Sequence, residues 1–108
     1  MSDTFFIKRN DTSPIFRAIL KDGDDVVVNV TGATVRFHMF DQDMVVKVDA
    51  AATINNGAAG DVQYAWIAAD TDTAGFFDSE FEVTFSGGRI ETFPNYGYQR
   101  VHIYEDLV

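Results

Sequence analysis

Apolar and polar side chains alternate with a period of two along much of this chain. The clearest case begins at Phe77, where Phe77, Phe81, Val83 and Phe85 fall on one face and Asp78, Glu80, Glu82, Thr84 and Ser86 on the other. That spacing predicts a strand with one face buried, interrupted on its apolar side only by Ser79. Ser86, Gly87 and Gly88 tolerate positive φ, so the chain can reverse there and return through Ile90 to Phe93 as a β-hairpin.

The same reading predicts strands at Thr4 to Lys8, Ile15 to Lys21 and Thr34 to Phe40, the last with Val35, Phe37 and Met39 inward. Val26 to Val30 is a short apolar run, and Met44 to Val48 is continued by Ala51 to Ile54. Val62, Tyr64 and Trp66 share a face, and Gln99 to Tyr104 points Val101 and Ile103 inward. Asn10 to Pro14, Asp22 to Asp25, Asp41 to Asp43 and Asn55 to Gly60 are turn segments, and Ala68 to Gly75 predicts one helical turn. About seven to nine short strands at this spacing make an all-β protein, an immunoglobulin-like antiparallel β-sandwich. Phe37, Trp66, Phe81, Val83 and Phe85 are its expected core.

A length of 108 residues makes one domain, 1–108, with 1–9 and 105–108 as ends able to fray. Hydrophobic residues are 46% of the chain and ten are Phe, so an aromatic core can stand without covalent staples. The absence of cysteine excludes disulfides, thiolate metal sites and thiol nucleophiles. The N-terminus has no apolar run behind a basic patch, and no segment reaches the length of a membrane span. A protein made in a cytoplasm, without a membrane partner, is therefore expected. The net charge of −9, with no basic stripe, disfavours nucleic acid, whose binding depends on displacing phosphate counterions with Lys and Arg.

Candidate chemistry is sparse. Glu80 and Glu82 lie two apart on one strand, about 7 Å between side chains, but alternate with core aromatics as a solvated face does. His38 and His102 occupy polar phases beside Arg36 and Arg100, with no third metal ligand at a recognisable spacing. The acidic turns lack the spacing of a Ca²⁺ loop, and Asp suits such positions by bonding nearby backbone. Gly87, Gly88 and Arg89 read as a hairpin tip in preference to an anion nest. The expectation is a protein that is not an enzyme, with no catalytic residue, cofactor or metal. Tyr96 and Tyr98 follow Pro94 and Asn95, one expected as a corner residue with its hydroxyl on backbone and the other exposed. Thr4 to Ile7 is hydrophobic and β-prone, able to complete its own sheet or to pair with a neighbour's edge. Phe5, Phe6, Ile7, Asn95, Tyr96 and Tyr98 are thus the candidate protein interface.

Several segments in order resemble a known family: Asp11 to Pro14, Val30 to Met39, Gly60 to Trp66, Asp70 to Gly75, Glu80 to Phe85, and Thr92 to Pro94. Together they look like the small immunoglobulin-like domains of tailed-bacteriophage virion proteins, and are most similar to the N-terminal domain of the baseplate upper protein family. The motifs are structural: a Leu/Val-Thr-Gly-Ala strand entry, a Gly-x-Val-x-Tyr-x-Trp strand and a Gly-x-Phe/Tyr-x-x-Glu-Phe strand, here Gly75 to Phe81. The resemblance implies a virion structural protein that acts by docking to other virion proteins, in many symmetric copies or as a homo-oligomer. In that family further receptor-binding segments follow, whereas this sequence ends at Val108, which implies an adaptor or accessory of the tail, neck or baseplate. A capsid decoration or head-fibre-type protein is the alternative placement. A carbohydrate-binding module on the same fold is a further alternative, with Tyr96, Tyr98 and Tyr104 as its candidate aromatics.

Overall fold

Alternating apolar residues become strands here because only a pleated chain puts every second side chain on one face, where a second sheet can cover it. The computed structural model describes residues 3–107. Its strands are β1 (Phe5–Lys8), β2 (Phe16–Ile19), β3 (Thr34–Phe40), β4 (Val46–Ala51), β5 (Thr53–Asn56), β6 (Asp61–Tyr64), β7 (Gly75–Thr84), β8 (Ile90–Phe93) and β9 (Gln99–Tyr104). A 3-10 turn, Ala68–Thr71, stands where one helical turn is expected. The larger sheet runs β1-β9-β7-β3-β4, with β8 also on β7, and the smaller runs β2-β6-β5. β7 meets β3 along one edge. Its other edge is shared, first half with β9 and second half with β8, and residues 94–98 connect those two strands. The all-β sandwich is thus observed.

Between the sheets lies an aromatic core. Phe37 stacks on Tyr64 at 4.6 Å between centroids and meets Phe81 at 5.2 Å, while Phe16 lies 5.6 Å from Phe81 and stacks with Trp66. Phe37, Trp66, Phe81 and Val83 are buried as expected. Each such side chain contributes roughly 1.5–3 kcal/mol by leaving water.

Several expectations need correction. β1 pairs parallel with β9, so the sandwich is not wholly antiparallel. The apolar run Val26 to Val30 is tied down by a Lys21–Val27 bridge and by Val28 N–H to Leu20 O and Val30 N–H to Gly57 O, with Val26 and Val27 exposed and Val30 buried. The segment 44–54 is split between sheets: Ala52 donates to the Val35 carbonyl at 2.8 Å, and Thr53 then opens β5 in the smaller sheet. Phe85 is only partly buried, because β7 ends at Thr84 and Phe85 already belongs to the turn, closed by Gly88 N–H to Phe85 O at 2.8 Å. Ser79, the break in the apolar row, is fully buried and its hydroxyl donates to Gln99 O at 2.8 Å. That bond removes the penalty of a hydroxyl in the core. Among the described residues, no helix is long and apolar enough to cross a membrane.

Candidate docking surface

The outward face of the larger sheet can be read from strand register. Successive rows carry Lys8 with Tyr104, then Phe6, His102 and Phe76, then Arg100, Asp78, Phe40 and Val46, then Glu80, His38 and Asp49. The first rows are aromatic. His102 lies 3.9 Å from Phe76 and 3.9 Å from Tyr104 between centroids, with Phe6 alongside at 6.1 Å. Arg100 covers the Phe76 ring at 5.1 Å and bonds Asp78 at 3.3 Å. These rings spend their faces on one another, binding β1, β9 and β7 together.

The next row is ionic. His38 Nδ1 is 3.3 Å from Glu80 Oε2 and its Nε2 is 3.2 Å from Asp49 Oδ1, which also accepts Arg36 Nε–H at 2.9 Å. The Arg36 guanidinium, aided by His38, holds the Asp49 carboxyl below its ordinary range against the opposing effect of desolvation. Glu80 and Glu82 of β7 pair with His38 and Arg36 of β3 respectively. His102 is a stacked ring. Among the described residues, no group of three or more His, Cys, Asp or Glu is placed to hold a metal ion.

Two acidic turns share one geometry. Asp22 Oδ1 accepts the amides of Asp24 and Val26 at 2.9 and 3.1 Å, and Asp41 Oδ1 those of Asp43 and Val45 at 2.9 and 3.0 Å. In each, the residue three after the capping Asp has positive φ: Asp25 at 63° and Met44 at 65°. Backbone capping accounts for these aspartates, as the sequence reading proposes. The second turn presents three successive apolar side chains to solvent, with Met44 62%, Val45 60% and Val46 64% exposed.

Val46 faces outward because of a bulge. Met39 pairs with Val48 but Phe40 with Val46, leaving Lys47 as the extra residue. Val46 and Met44 then flank Phe40, and with His38, Asp49 and Glu80 they line a depression of about 320 Å³. Tyr98 meets Phe40 edge-on at 5.0 Å from the other side. Sequence reading missed this arrangement, since Met44 to Val48 there is simply a strand.

The six candidate interface residues are dispersed. Ile7 points into the core, Phe5 packs on Phe16 at 4.8 Å, and Phe6 stands exposed in the aromatic row. β1 therefore completes this chain's own sheet. Asn95 donates to Glu91 Oε2 at 3.1 Å and to Thr92 O at 3.0 Å, which pins the loop, and Tyr96 projects from it at 96% exposure. The expected tyrosine corner is not found at Tyr96 or Tyr98; the buried hydroxyl is that of Tyr64, on Asp70. Tyr98 and Tyr104 are engaged by different neighbours, Phe40 and His102, so the three candidate sugar-stacking tyrosines do not form one platform. Elsewhere a groove runs between Phe5 of β1 and Phe16 to Ile19 of β2, where the two sheets' edges meet.

No family model matches this sequence, and no curated protein does. Among solved structures, it is similar to the N-terminal domain of phage TP901-1 ORF48, with 13% identity, 96% of this chain and 85% of that chain covered, and a TM-score of 0.62. A second match is CopC from Methylosinus trichosporium OB3b, with 11% identity, 88% and 98% covered, and a TM-score of 0.47. At such identities the likeness is one of fold.

Proposed function

We propose that this chain is a structural subunit of a tailed-phage particle, a small accessory or adaptor of the tail, neck or baseplate that acts by docking to other virion proteins and carries out no catalysis. The observation that carries the reading is the overlap of nearly the whole fold with the N-terminal domain of a phage protein. The sequence resemblance to phage immunoglobulin-like domains points the same way. Docking is supported by the outward face of the larger sheet, where a rigid turn exposes Met44, Val45 and Val46 next to Phe40 and Tyr98. Exposed apolar groups held by a pre-ordered backbone bind at low entropic cost, and the −9 charge restrains indiscriminate association. Many copies per particle are expected, each placed by symmetry.

Immunogold labelling of purified particles with antibody against the purified protein tests this. Label at the tail or its ends is expected. Label over the heads would move the protein to the capsid shell, and intact, disrupted or partly assembled particles that all lack the protein would refute a virion role.

A further inference from the structure

The depression beside Met44 is built from two unlike walls. Phe40, Met44 and Val46 supply apolar surface, while Glu80 and Asp49, with the His38 ring between them, supply the polar lining. Both carboxylates keep acceptor capacity. Asp49 takes Arg36 and His38 on Oδ1, and Glu80 takes His38 on Oε2; among the described residues no bond is made by Asp49 Oδ2 or Glu80 Oε1. The bulge at Lys47 and the positive φ of Met44 are what bring the apolar wall to this place. Met44 and Val46 themselves remain largely exposed.

Charge and shape select the occupant. A purely apolar side chain would strip water from Glu80 and Asp49 with nothing in return. An acidic one would meet like charge, and a second copy of this chain brings −9 of it. A long basic side chain matches both walls, its methylenes on the apolar surface and its cation on the carboxylates. We propose that the depression between Phe40, Met44 and Val46 and the carboxylates of Glu80 and Asp49 receives an arginine or lysine side chain from a different protein. This rests on the docking reading for the partner being a virion protein; the slot itself is open to test in solution.

The full chain, labelled for amide NMR, should be titrated with n-butylguanidinium and with guanidinium at matched ionic strength. Butylguanidinium should shift the amides of Phe40, Val46, Asp49 and Glu80 together, and bind more tightly than guanidinium because its alkyl chain meets the apolar wall. Glu80→Gln, with an unchanged melting temperature, should weaken it about tenfold, the size of one charge-assisted bond. Shifts spread equally to Asp22–Asp25 and Glu105, equal affinity for the two probes, or no loss in Glu80→Gln would each overturn the slot. Sedimentation that shows a dimer broken by Glu80→Gln would assign the slot to a second copy and overturn the proposal of a different protein. In particles, Glu80→Gln should lower copy number several-fold while Ile90→Ser, also exposed on the sheet, does not. A wild-type protein missing from particles overturns the proposed function, whereas Glu80→Gln at wild-type copy number overturns this inference.

Discussion

The Tyr64 hydroxyl donates to Asp70 Oδ2 at 2.6 Å, and the same oxygen accepts the Ile67 amide at 3.0 Å. Both side chains are buried, so the pair ties β6 to the 3-10 turn that leads into β7. Burial, reinforced by the Asp70 carboxylate, pushes the Tyr64 phenol well above its ordinary value. Above about pH 10 the unfolded chain gives up this proton while the folded chain keeps it. Stability should therefore be whole below that pH and fall as pH rises toward the folded value. Tyr64→Phe should lose about 1–3 kcal/mol at neutral pH, as Asp70 loses a donor, and flatten the alkaline limb. Urea unfolding at neutral and alkaline pH reads both effects.

Acid has its counterpart at Asp61. Arg17 Nε–H and Nη2–H bond its two oxygens at 2.9 and 2.5 Å, and Asn55 adds a third donor at 3.3 Å. The Arg17 bond, foremost, holds this carboxyl below its ordinary range. A lowered folded value means stability present above about pH 4 and lost as pH falls through the folded value. Asp61→Asn should flatten the acid limb, and Asp72, held down by Lys47, should behave alike. Because Arg17 is largely solvated, high salt should shrink the effect. An acid limb of unchanged slope in Asp61→Asn would contradict this.

Strand phase is tested on β7. Phe81→Ala should cost about 3–5 kcal/mol, since Phe81 touches Phe16 and Phe37 in the core. Glu82→Ala, on the outer face, should change the melting temperature little, and Phe85→Ala should fall between them because Phe85 is half covered. Equal melting temperatures for Phe81→Ala and Glu82→Ala would refute the assigned phase.

The N-terminal strand separates core from surface within three residues. Ile7→Ala should cost about 2–5 kcal/mol, and Phe6→Ala less than about 1.5, its exposed ring lying alongside His102 and Tyr104. Deleting residues 1–9 should remove β1 and lower or abolish the cooperative transition seen by circular dichroism. A truncated protein as stable as the full chain would detach β1 from the fold.

Gly60 is a backbone requirement. Its φ is 64°, and a Cβ there would stand 2.8 Å from Val28 O and 2.9 Å from Leu20 O, backbone atoms that cannot step aside. Gly60→Ala should cost about 2 kcal/mol or more, while Gly23→Ala, with nothing within 4 Å, should be mild. Comparison of denaturation midpoints decides it.

Strand phase was readable in the sequence because period two belongs to the extended backbone itself. Val35, Phe37 and Met39, Val62, Tyr64 and Trp66, and Val101 and Ile103 all face inward as their alternation says. The turns were readable too, since Asp22 and Asp41 cap amides within four residues of themselves. What lay beyond the sequence depends on pairing between distant segments. The outward turn of Val46 exists only because Lys47 bulges against β3, and a shift of one residue in register reverses which face a side chain takes. Ile7 is core because β9 offers its edge to β1 nearly a hundred residues later, and Glu80, His38 and Asp49 meet because three strands lie side by side. Local alternation decides which side chains are hidden; the long-range register of the sheet decides which exposed ones stand together, and the candidate docking site is made of the latter.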